Sequence, residues 1–107
     1  MGRSISAVTQ TTVSVAVTSN YTALAWQILL IDTTAATFNI TLPANPLIGD
    51  RINFIDAAGN CATNKAVILR NGNKIANLAE DLDFDIKNAS LGLIYTGSSY
   101  GWSIITN

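Results

Sequence analysis

A chain of 107 residues with 12% charged residues, a net charge of −1 and no histidine has the length of one domain, and such a domain buries roughly 65% of its unfolded surface, enough for a core without disulfides or metals. The charge balance leaves no basic field for a phosphate backbone, so nucleic acid is not an expected partner, and without histidine no Ser-His or Cys-His nucleophilic pair exists. Cys61 is the single cysteine, which excludes an intrachain disulfide or a thiolate metal cluster, and no run approaches the ~18 apolar residues of a membrane span.

Residues 8–18 contain no Gly, Pro or charge and read as one long strand. Val13, Val15 and Val17 fall on one face, and Thr12, Ser14, Ala16 and Thr18 on a small, flat opposite one. A charge-free edge of this kind is an aggregation template unless something covers it. It is expected either as an ordinary strand of the chain's own sheet or as an arm that completes a neighbouring subunit's sheet or lies along a shell protein. The arm reading divides the chain into residues 1–18 and a β-sandwich domain of residues 19–107, and it expects residues 19–107 to fold alone. Val13, Val15, Val17 and Trp26 are the interface candidates, Trp26 because it precedes a strand and because tryptophan is enriched among binding hot spots.

Further along, residues 28–32 and 66–69 are continuous apolar runs, expected as central strands covered on both sides. Phe38, Ile40 and Leu42 alternate with Thr37, Asn39 and Thr41, and Ile52 and Phe54 with Arg51 and Asn53, which is the period of half-buried strands. Asn71-Gly72 tolerates two positive φ angles and predicts a type I′ hairpin pairing residues 68–70 with 73–75. Residues 78–81 are the one place where a helical turn is expected. Leu82, Phe84 and Ile86 form a core stripe opposite Asp81, Asp83 and Asp85, with Lys74, Lys87 or Arg70 to balance the acids. Trp102 alternates with polar neighbours and is expected in the core with its indole N–H bonded. Turn signals at residues 43–46, 47–50, 57–60, 71–72 and 96–99 separate these segments. The class predicted is all-β, an antiparallel β-sandwich of jelly-roll or Greek-key type with eight to nine strands and no internal repeat.

Two kinds of site chemistry deserve weighing. Seven carboxylates leave room for a carboxylate-dependent glycosidase, yet a 107-residue sandwich supplies no long groove or deep cleft by itself. The acids at 81, 83 and 85 point one way along a strand with Cα atoms roughly 7 Å apart, whereas Ca²⁺ needs a curved loop of oxygen ligands. Neither a catalytic residue nor a metal or cofactor is therefore expected. Ser, Thr, Asn and Gln outnumber the charged residues 33 to 13, so the neutral surface lacks the repulsion that keeps subunits apart, which favours assembly.

Four pieces of the second half, Asp50 through Ile55-Asp56-Ala57-Ala58-Gly59-Asn60, Arg70-Asn71-Gly72-Asn73-Lys74-Ile75, Leu78-Ala79-Glu80-Asp81-Leu82, and Leu93 through Tyr100-Gly101-Trp102, resemble in words and order a β-module of tailed-bacteriophage virion proteins. The module occurs in small capsid decoration (cement) proteins and in tail fibres, and the similarity spans roughly residues 21–104. The resemblance implies a virion structural protein on the capsid surface, assembled in the bacterial host cytoplasm. It also implies a homotrimer whose partner is the phage major capsid protein. Trp26 departs from the pattern, which more often carries a small residue there. A chain beginning at Met1 and stopping just after the last strand is expected to attach through its own surface, which ranks head decoration above a tail-fibre, tailspike or baseplate module that binds host glycan.

Overall fold

The computed structural model describes residues 11–105. Among them lie nine strands and no helix: β1 Val13–Val17, β2 Tyr21–Thr22, β3 Gln27–Ile31, β4 Phe38–Thr41, β5 Arg51–Asp56, β6 Ala66–Leu69, β7 Leu82–Phe84, β8 Ser90–Tyr95 and β9 Trp102–Ile105. They form two sheets, ordered β1-β3-β5-β8-β9 and β2-β4-β6-β7.

The expected antiparallel pairing is corrected by the topology, because both sheets are mixed. The chain winds from one sheet to the other and back, so that β1, β3 and β5 stack in parallel on one side and β2, β4 and β6 in parallel on the other. Antiparallel pairs appear only where the winding stops, at β5–β8, β6–β7 and β8–β9. A parallel neighbour requires a crossover, and here each crossover passes through a strand of the facing sheet. Successive turns are unequal, Val13 pairing with Gln27 and Gln27 with Ile52, so the winding leaves no sequence repeat.

One core joins the sheets. Leu29, Ile31, Ile52, Phe54, Leu93 and Trp102 from the first meet Phe38, Ile40, Ala66, Ile68 and Phe84 from the second. Phe54 and Phe84 approach across the gap with ring centroids 6.3 Å apart, and Tyr95 meets Trp102 edge-on at 5.3 Å, both within the preferred aromatic range. The apolar runs are covered on one side only: Leu29, Ile31, Ala66 and Ile68 are buried, while Ile28, Leu30, Val67 and Leu69 sit half-exposed on the outer faces. Ile86 leaves the predicted stripe and is 68% exposed, because β7 ends at Phe84. Trp102 is fully buried as expected, but its Nε1 finds no partner among the described residues.

The Asn71-Gly72 turn forms with both φ values positive and closes from Asn73 N to Arg70 O at 3.2 Å. The predicted hairpin does not follow. The Asp81 carboxylate takes the Arg70 N–H at 2.9 Å, β6 pairs with β7 instead, and residues 73–75 run on toward Trp102. A second tight turn, which the sequence hid, follows at Ala76-Asn77, both at positive φ, with Ile75 and Leu78 exchanging N–H···O bonds of 2.9 and 3.0 Å. Leu78 thus closes a hairpin turn where a helical turn was expected.

Candidate interaction surfaces

The winding sorts the loops into two groups. Strands β1, β3 and β5 run through the first sheet toward one end and β2, β4 and β6 return through the second, so residues 23–26, 42–50, 70–81 and 96–101 share the end at which β3, β5 and β9 begin. Residues 18–20, 32–37, 57–65 and 85–89 share the other. Among the described residues eight large apolar side chains are exposed, and six of them, Val13, Leu24, Leu47, Ile48, Leu78 and Tyr100, belong to the first end. Ile86 lies at the other end, and Ile104 lines a groove with Leu82 and Phe84.

Apart from Val13 in β1, these side chains stand on loops that are held, not loose. Leu47 N–H donates to Asp50 Oδ2 at 2.9 Å, Asp50 N–H donates back to Leu47 O at 3.0 Å, and Gly49 takes φ 95°. The turn presents Leu47 and Ile48 at its tip, 73% and 77% exposed. Gly49 N–H bonds to Tyr95 O and Tyr95 N–H to Asp50 O, at 2.8 and 2.9 Å, tying that tip to β8. Leu24 N–H is held by Gln27 Oε1 at 2.8 Å, and the Gln27 amide donates to the Tyr21 hydroxyl at the same distance. Trp102 N–H bonds to Lys74 O at 2.8 Å, and Ala76 N–H to Trp102 O at 2.7 Å, anchoring the loops that carry Leu78 and Tyr100. Apolar side chains gathered on ordered loops lose little entropy when a partner covers them. In the sequence these residues carry no signal, because they lie in turns and obey no period.

Of the candidates read from sequence, Val13 is 53% exposed and belongs to this end, Val15 packs partly on the core, and Val17 is core at 2% exposure, so Val17 is corrected from interface to interior. Their strand is an edge strand of the chain's own five-stranded sheet. The boundary expected after residue 18 therefore cuts through a sheet, and only residues 1–10 of the expected arm lie outside the described residues. Val13 N–H bonds to Trp26 O, and Val17 O accepts from Asp32 N–H. The alternation of a parallel ladder then turns the N–H and C=O groups of Ser14 and Ala16 outward, with no backbone partner among the described residues and no charge beside them. Trp26 is half-buried at the first end with φ 69°, rare for a bulky residue.

The acidic run is dispersed. Asp81 caps Arg70 N–H, Asp83 pairs with Lys65 at 3.2 Å in place of the expected Lys74, Lys87 or Arg70, and Asp85 is exposed. Among the described residues no three His, Cys, Asp or Glu side chains converge to hold an ion. Cys61 is fully buried. Burial first, then the Asp56 carboxylate beside it, push its thiol up to about 11, so it stays protonated and unreactive. Asp56 itself, 3% exposed, accepts from the N–H groups of Asn60, Cys61 and Asn88 at 3.2, 3.3 and 2.9 Å. Burial pushes its carboxyl up, but those donors together with the thiol outweigh it and hold it below the usual value. It pins two loops of the polar end.

Searched against known families and curated proteins, the chain matches no family model and no curated sequence.

Proposed function

We propose that this chain is a structural protein of a tailed-phage virion, a decoration protein that docks on the major capsid protein and strengthens the head shell without catalysis. The observation that carries the reading is the gathering of Val13, Leu24, Leu47, Ile48, Leu78 and Tyr100 at one end of the winding. The resemblance of residues 21–104 to the phage module supplies the identity of the partner. An end of this kind buries its apolar side chains at about 1.5–3 kcal/mol each, which suits attachment through protein surface. The free edge of β1 supports self-association, a neighbouring copy supplying the missing strand. The homotrimer follows from the resemblance alone. Individually modest contacts repeated over a symmetric shell dissociate slowly.

The test is co-sedimentation with undecorated phage heads. Wild-type protein should pellet with heads at saturable stoichiometry. The double variant Leu47→Glu, Ile48→Glu should remain in the supernatant while its circular dichroism is unchanged, since both side chains are exposed. Full binding by that variant would remove the apolar end from the mechanism, and failure of the wild type to bind any head would remove decoration itself.

A further inference from the structure

On the outer face of the five-stranded sheet an open cleft of about 360 Å³ runs along β5, from Trp26 and Arg51 past Asn53 and Ile55 to Ser90, lined also by Thr12, Gln27 and Ile28. Arg51, Asn53 and Ile55 alternate outward from the core residues of β5, so the cleft spans about 13 Å at the rise of a strand, long enough for two or three sugar rings. Gly92, the cross-strand partner of Asn53, leaves the Asn53 amide its room: a Cβ there would come within 3.2 Å of Asn53 Nδ2.

Three features of the cleft point to a ligand. Trp26 is held at φ 69°, with its N–H on Arg51 O at 2.6 Å. An L residue with a bulky side chain in that region is strained by about 1–2 kcal/mol, and such strain concentrates at binding sites. Arg51, half-buried beside it, is in no ion pair among the described residues, where Lys65–Asp83 is the pair that forms. Among the described residues no carboxylate lines the cleft, so the Arg51 cation, the Asn53 amide, the Thr12 and Ser90 hydroxyls and the Trp26 indole border the same space, beside a Gln27 whose amide is already bonded to the Tyr21 hydroxyl.

We propose that this cleft binds an acidic saccharide, a uronate- or sialate-type residue whose carboxylate meets the Arg51 guanidinium while its ring packs on the Trp26 indole. Guanidinium matches carboxylate in a planar fork. Asn53, Thr12 and Ser90 supply the donors and acceptors that sugar hydroxyls need, and Ile28 and Ile55 the apolar lining. The inference is independent of head attachment, since it uses none of the Leu47, Ile48, Leu78 and Tyr100 side chains.

Intrinsic fluorescence provides the assay, because Trp102 is fully buried and Trp26 is the indole a ligand reaches. Trigalacturonate, a hyaluronan tetrasaccharide and sialyllactose are the probes, with maltotriose as the neutral control. At least one acidic probe should change the emission saturably, and Arg51→Gln should weaken it tenfold or more. Trp26→Asn, which tolerates the same positive φ, should abolish binding, followed for this variant by calorimetry, without lowering the melting temperature. Absence of a saturable response to all three acidic probes would overturn the proposal. So would equal binding of maltotriose, or affinity unchanged in Arg51→Gln.

Discussion

Replacing Gly101 by alanine tests the anchor beneath the apolar end. Gly101 has φ 77°, and a Cβ built on it would lie 2.6 Å from the carbonyl carbon of Lys74 and 2.8 Å from its Cα, backbone atoms with no side-chain freedom to yield. The positive φ costs alanine about 1 kcal/mol. Relieving the clash moves Lys74 away from Trp102, breaking the 2.8 Å Trp102 N–Lys74 O bond and the 2.7 Å Ala76 N–Trp102 O bond. Each is worth about 1 kcal/mol, and buried groups left unpaired cost a further 1–3 kcal/mol. The expected loss is about 4–6 kcal/mol, a large share of the stability of a small domain and roughly 20 °C in Tm. Gly72→Ala is the control: φ is 90°, but nothing lies within 4 Å of the added carbon, so only the conformational cost of about 1 kcal/mol remains. Thermal and urea melts of the two variants decide the matter. Equal losses would refute the reasoning, showing that residues 96–101 shift freely and that the Lys74–Trp102 bridge anchors nothing.

Asp56→Asn should cost about 2–3 kcal/mol, because three N–H groups lose a charged acceptor. With the folded carboxyl below the unfolded value of 3.8, its contribution is complete above that pH and lost as pH falls through the lowered value, so the variant's acid melting curve should be flatter below about pH 4. Light scattering should give an oligomer mass for the wild type and a monomer mass for Ser14→Pro, which deletes an outward N–H; an unchanged mass in the variant would clear β1 of the contact. Removing residues 1–18 takes away β1 and the buried Val17, so urea melts should record a loss of several kcal/mol, whereas intact stability would return β1 to the status of an arm. EDTA should leave Tm unchanged within about a degree, since loss of a native-state ligand lowers stability by mass action.

Much of the core was legible because period 2 reports which face of a strand is buried. Phe38, Ile40, Ile52, Phe54, Phe84 and Trp102 are inside as their alternation required. Strand direction was not legible, since alternation is the same in parallel and antiparallel ladders. The one hint is the pair of apolar runs at residues 28–32 and 66–69, a mark of parallel strands that is equally the mark of burial on two sides. The Asn71-Gly72 turn was readable from its φ tolerance, but its hairpin lost to the Asp81–Arg70 bond, a contact between residues eleven apart. Ala76-Asn77 was hidden because alanine does not advertise positive φ. The apolar end could not be read from sequence at all, because Leu24, Leu47, Leu78 and Tyr100 come together only through the winding.

Cryo-electron microscopy of virions labelled with antibody to this chain addresses the central claim most directly. The decoration reading predicts dense, regular label over the head and none on the tail. Label confined to fibres or baseplate, or virions without label, would contradict it.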